Sequence, residues 1–199
     1  MTYEDGSYVA PEDIVDVTAQ VRRDWRTQPR VLVMRGGAFH FEHAMPGPAG
    51  TVGVYQVLNR LVKTWNQSRM GGEFTVVDAG SCFHLVPTSR RGVGGERKPY
   101  TPPLSVRIDL TVEERSGLDT LTEIARLVSA QTGRPISEGM MPINLMLQRS
   151  ASVGARNETA RAVLWRALRQ LHPSLSYQVL CGVGEQAACT INTHAIPRD

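Results

Sequence analysis

The sequence predicts an α+β protein: small antiparallel or mixed sheets packed on amphipathic helices, arranged as two related helix–hairpin halves. Three observations carry this prediction. Two stretches repeat apolar residues at helical spacing, each is followed by alternating strand-like runs, and one Gly/Pro-rich stretch divides the chain between them.

Taken from the N-terminus, residues 1–12 read as extended chain. The stretch 13–25 is a short helix or strand, since Ile14, Val17 and Val21 fit one period while Val15 and Val17 fit the other. RVLVMRG (30–36) and AFHFEH (38–43) are strand-like, with Gly36 and Gly37 as the bend between them. Thr51 is placed to cap a helix running to about residue 67. On it Val54, Val57, Leu58, Leu61, Val62 and Trp65 fall on one stripe. EFTVVDAGSCFHLVP (73–87) is a hairpin turning near Asp78 and Gly80. TSRRGVGGERKPYTPP (88–103) combines Gly, Pro and charge and reads as the linker. It divides an N-terminal half, 1–87, from a C-terminal domain, 104–199.

Beyond it, LSVRIDL (104–110) alternates, with Leu104, Val106, Ile108 and Leu110 on one face of a strand. Leu118, Leu121, Ile124, Ala125 and Val128 form a helical stripe, which Gly133 stops and Pro135 forbids from continuing. PIS (135–137) is a short strand. MMPINLMLQR (140–149) is a buried crossover containing Pro142, with room for one helical turn. SASVGA (150–155) is a strand, and Asn157 is placed to cap the next helix. That helix has the cleanest amphipathic pattern in the chain: Ala160, Val163, Leu164, Ala167, Leu168 and Leu171 on one face, Arg161, Arg166, Arg169 and Gln170 on the other. LSYQVL (175–180) and ACTINTH (188–194) make a hairpin around Gly182 and Gly184. Helix 51–67 with hairpin 73–87 thus has the plan of helix 157–171 with hairpin 175–194, a degenerate internal repeat.

The stretches LDTLTEIARLVSAQTGRPIS (118–137), SVGARNETARAVLWRALRQL (152–171) and LSYQVL (175–180) follow a known pattern. A helix ends in a "TG" turn and a strand; a strand and an Ala/Leu-periodic helix follow; "LSY" opens a hairpin. In this, residues 104–194 resemble the secretin and TonB short N-terminal domain, a small envelope module, with a possible half-repeat in 51–87. The Met-rich insert before Ser150 and the two cysteines of the last hairpin depart from the pattern. The resemblance implies a non-catalytic protein–protein interaction module of the bacterial cell envelope, serving a secretion or uptake assembly. Its partners would be other envelope proteins, reached by strand addition at sheet edges.

Composition is that of an ordinary globular chain, 41% hydrophobic and 21% charged with a formal net charge of +3. No run approaches the roughly 20 apolar residues a membrane span needs, and the charge is too weak to demand nucleic acid or a membrane. Met1 is followed by polar, acidic residues and not by a signal peptide. A cytoplasmic protein and an exported one whose leader has been removed both fit. The resemblance implies the second, periplasmic or exported. Cys181 and Cys189 flank the last hairpin turn symmetrically. A disulfide, which fits an oxidising compartment, and two ordinary strand thiols both stay open.

No stretch calls for a cofactor. His40, Glu42 and His43 invite a metal, but on a strand His43 points away from the other two, and zinc needs three or four converging ligands. Cys82 and His84 share a hairpin face and form the other catalytic candidate, a thiol–imidazole pair lacking an evident orienting group. Together these define the alternative, a thiol- or metal-dependent enzyme. Gly92 to Gly95 spells GxxG but runs into Pro99, so a flexible loop is favoured over a phosphate or RNA clamp. Arg22, Arg23, Arg26, Arg30, Arg90, Arg91, Arg97 and Lys98 define the last alternative, a weak nucleic-acid binder. It lacks the interleaved aromatics of a stacking platform.

Overall fold

A computed structural model of the chain describes residues 2–5, 31–33, 38–40, 53–68, 72–80, 82–91, 96–182 and 187–195. The fold class is α+β, as the periodicities predict. The stretch 13–25, the GxxG at 92–95 and the arginines from Arg22 to Arg30 lie outside the described residues.

The N-terminal half supplies strand β1 (Thr2–Asp5), a hairpin of β2 (Val31–Val33) and β3 (Ala38–His40), helix α1 (Val54–Ser68) and the hairpin β4 (Phe74–Asp78) and β5 (Phe83–Pro87). The expected helix and hairpin are therefore both present. The 88–103 stretch, read from composition as a linker, is folded where it is described. Strands β6 (Ser89–Arg91) and β7 (Arg97–Pro99) pair antiparallel, and Tyr100 is buried. Leu104 belongs to a 3-10 turn, Pro103–Ser105, and not to the following strand, which is β8 (Arg107–Ser116).

Helix α2 (Gly117–Thr132) starts at Ser116, whose hydroxyl accepts from Asp119 N, and ends at Gly133, whose φ of 65° is the left-handed stop that only glycine adopts cheaply. Strand β9 (Ile136–Glu138) follows, then the short helix α3 (Ile143–Gln148) within the Met-rich insert. Strand β10 (Ser150–Thr159) runs four residues past the expected end. Asn157 is therefore not the cap of the next helix; it sits in the strand at φ 51°. Thr159 caps α4 (Ala160–Leu171) instead, accepting from Ala162 N. The chain closes with the hairpin β11 (Leu175–Cys181) and β12 (Cys189–Ala195).

The main sheet has six strands in the order β4-β5-β1-β11-β12-β9. Strand β1 lies parallel between β5 and β11, so backbone hydrogen bonds run from the first half into the second. Strands β8 and β10 form a separate antiparallel ribbon with two register shifts. Helices α2 and α4 are sandwiched between this ribbon and the β11–β12–β9 end of the sheet. Their stripes Leu121, Ile124, Val128 and Val163, Leu164, Leu168, Leu171 pack with Ile108, Leu110, Val153, Tyr177, Val179 and Ile191 in one core. Each fully buried Leu or Ile there contributes roughly 1.5–3 kcal/mol before chain entropy is charged.

Helix α1 lies on the opposite face. Leu58, Leu61, Val62 and Trp65 pack on Phe74, Val76 and Leu85 in a second cluster, while His84, the next residue along β5, points to Trp165 of α4. The two helix–hairpin units share one plan with one hand. Strands β5 and β11 run the same way, so the first strands of the two hairpins, β4 and β11, run oppositely. Their helices also cover opposite faces. A half-turn about an axis lying in the sheet across the strands, with a shift along the sheet, relates one unit to the other.

Candidate functional site

The sequence-selected residues fall in different places. His40 ends β3, while Glu42 and His43 lie outside the described residues. Among the described residues, no group of three or more His, Cys, Asp or Glu is placed to hold a metal ion. Cys82 is buried and its thiol donates to the carbonyl of its neighbour Phe83 at 3.4 Å. His84 is 2% exposed. Its Nδ1 stands 3.4 Å from Tyr177 Oη, and its ring meets the Trp165 edge at 6.0 Å. Burial, helped by Arg161 and the amino terminus, holds this imidazole at about 4, well below its ordinary 6.5. It is neutral at physiological pH and buried between the two halves. Trp165, half-buried on α4, closes this cluster, and the Arg169 guanidinium lies over its ring.

Cys181 and Cys189 lie at bonding distance, with sulfurs 2.08 Å apart, on directly paired positions of β11 and β12. Tyr100 reaches the same corner. Its hydroxyl donates to Cys181 Sγ at 3.6 Å and accepts from Arg134 Nη1 at 3.1 Å. The guanidiniums of Arg90 and Arg134 both lie against its ring. Of the basic hairpin residues, Arg97 pairs with Glu73 and Lys98 with Glu96.

The sheet edges are treated unequally, and sequence reasoning gave no sign of this. At the outer edge of β4, Asn66 of α1 caps Phe74, its amide accepting from Phe74 N at 3.0 Å and donating to Phe74 O at 2.9 Å. At the outer edge of β9, Ser129 of α2 caps Ile136, its hydroxyl accepting from Ile136 N at 2.9 Å. On β10, Gln170 of α4 accepts from Ser152 N at 3.0 Å. Arg166 binds the same strand from above, clasping Glu158 with two nitrogens and donating to Gly154 O. That contact holds the Glu158 carboxyl below its usual range. Side-chain amides and hydroxyls thus occupy backbone groups that would otherwise template another strand.

Strand β8 is different. Because Ser152 N points away from β8, the facing pair Ser152 and Glu114 is not hydrogen bonded, and the Glu114 N–H and C=O point outward. Thr111, Val112, Glu113 and Glu114 are four consecutive exposed residues, and the Val112 side chain is 72% exposed. Arg115 reaches back to Thr111 O at 3.2 Å and to Glu113 at 2.5 Å, and among the described residues no side chain caps the Glu114 backbone. The ribbon is shaped here by a close approach. A Cβ on Gly154 would collide with a Val112 methyl and crowd the Val112 backbone, so a larger residue there would force the ribbon to shift. A shallow groove lined by Asp109, Thr111, Val112, Gly154, Arg156 and Glu158 crosses the ribbon at this point.

No family model, curated protein or solved structure matches the chain. No helix among the described residues is long and apolar enough to cross a membrane.

Proposed function

We propose that the chain is a non-catalytic protein–protein interaction module of the bacterial cell envelope that receives an extended segment of its partner on strand β8. One observation carries this reading. Helix side chains cap Phe74, Ile136 and Ser152 on three edge strands, while among the described residues the outward backbone of Glu114 has no such cap and lies beside the exposed Val112. Outward backbone groups left uncapped on an edge strand can accept a partner strand. The envelope assignment is supported by two further features. Apart from the short helix α3 in the Met-rich insert, the order over residues 107–195 is strand, helix, strand, strand, helix, strand, strand, the order on which the resemblance to secretin and TonB short N-terminal domains rests. The Cys181–Cys189 pair also fits an oxidising compartment. A place in a secretion or uptake assembly is the corresponding expectation, argued by analogy of fold.

The test is site-specific photo-crosslinking in cells exporting the protein. A photoreactive residue at position 112 should give one discrete adduct with an envelope protein, and the same residue at position 63, on the exposed side of α1, should give none. Equal labelling from both positions, or adducts confined to cytoplasmic proteins, would sink the proposal.

A further inference from the structure

We infer that the join between β1 and β5 is an acid-operated latch: a proton taken up by His84 parts it, and α1 with the β4–β5 hairpin comes away from a second core that stays folded.

The two halves are packed separately and joined narrowly. Helix α1 and the β4–β5 hairpin share one apolar cluster, while α2, α4 and the β11–β12–β9 strands share another, larger one. They are bridged by β1, which pairs with both β5 and β11, and by Tyr100, which links Arg90 of β6 to Arg134 and Cys181. They are bridged also by His84, which reaches from β5 to Trp165 and Tyr177.

The two ladders of β1 are unequal. Tyr3, Glu4 and Asp5 lie in register with Gln178, Val179 and Leu180 of β11, whereas Thr2 and Tyr3 lie in register with His84 and Leu85 of β5. The shorter ladder carries the histidine, so it is the one that parts. The smaller cluster yields because local opening draws on regions with few buried apolar contacts.

A proton on His84 is badly placed while the join is closed. The ring is buried, with Tyr177 of β11 and Trp165 of α4 against it and Val77 opposite on β4. Arg161 of α4 and the amino terminus act on it as positive charges, and Arg169 lies over the Trp165 ring. Glu4 stands two register positions along β1 from Thr2, level with Val179. An imidazolium would sit in the interior with a guanidinium nearby, and burial and like charge both resist it. The ring accordingly titrates at about 4, against an ordinary 6.5. Opening the join returns it to water and away from Arg161. The open form then binds the proton more tightly, so the join is intact above about 6.5 and weakens as pH falls toward about 4.

Amide hydrogen exchange of the full chain, read segment by segment and corrected for the pH dependence of the intrinsic rate, tests this between pH 7 and about pH 4.5. With the two titration values above, the opening equilibrium should rise about 60-fold over that interval. Exchange should rise by that factor across residues 54–87 and stay unchanged across α2, α4 and β11. In the His84→Gln variant the rise should be lost. Where glutamine itself opens the join at pH 7, the native chain decides: the His84 ring resonance must titrate together with the loss of protection in residues 83–87. Equal rises in both cores would overturn the inference. So would a rise in the variant as large as in the native chain, or a His84 ring that titrates with no change in exchange.

Discussion

His84 should make a separable contribution to the acid destabilisation of this fold. In the folded chain its imidazole titrates at about 4, against 6.5 unperturbed, because it is buried against Trp165 and Tyr177 with Arg161 nearby. A histidine with a lowered folded pKa binds protons more readily when unfolded. Stability is then full above the unfolded pKa and falls as pH drops from about 6.5 toward about 4. The displacement of 2.5 pH units corresponds to about 3 kcal/mol, with a slope approaching about 1.4 kcal/mol per unit inside that window. The assay is urea unfolding of the native chain and of His84→Gln at a series of pH values from 7.5 down to about 4. Glutamine keeps a polar group toward Tyr177 and cannot take up the proton. Other titrating groups are common to both chains, so the difference in unfolding free energy isolates His84. That difference should shift by about 3 kcal/mol against the native chain across the window. If the two profiles run parallel from pH 7 to pH 4, His84 is not a buried neutral imidazole, and the packing of β5 against α4 described above is wrong.

Two further outcomes follow from the geometry. Reducing the Cys181–Cys189 bridge, which closes a loop with a sequence separation of 8, should lower unfolding stability by about 2.5 kcal/mol on the chain-entropy model. A thiol titration of the denatured, unreduced protein should then find one free thiol, Cys82, where three would refute the bridge. Replacing Asn66 by Ala strips both hydrogen bonds from the Phe74 backbone at the β4 edge, at a cost of about 1–3 kcal/mol read by chemical denaturation. It should also raise concentration-dependent association; an unchanged unfolding midpoint would mean that the edge is not closed by this side chain.

Much of the architecture was legible because it is local. The stripes of α1, α2 and α4, the TG turn at Gly133 and the final hairpin all follow from spacing and turn chemistry within about fifteen residues. Strand ends were not legible. The β8 continuation TVEERS (111–116) has no alternation to detect, since its residues beyond Leu110 bury neither face. Asn157 and Thr159 are both good helix caps, and only the continued pairing of β10 with β8 decides between them. The 88–103 stretch shows Gly, Pro and charge, which mark a turn and a linker equally; the β6–β7 pairing and the burial of Tyr100 against the disulfide corner come from partners far along the chain. The candidate site lay further out of reach. An open edge is defined by what fails to cover it, and Asn66, Ser129 and Gln170 look in sequence like ordinary helix-surface residues.

The sequence by itself determined the fold class, the identity of the packing helices and the cysteine pair available for bridging, because periodicity and turn residues act through neighbours in the chain. The tertiary structure alone decided three things. It placed β1 between the two halves, it set the helices α1 and α4 on opposite faces of one sheet, and it brought helix side chains onto the backbone of β4, β9 and β10. Those are consequences of backbone hydrogen bonding between distant segments, and backbone groups are the same whatever the side chain, so no local pattern of residues records which of them will find a partner.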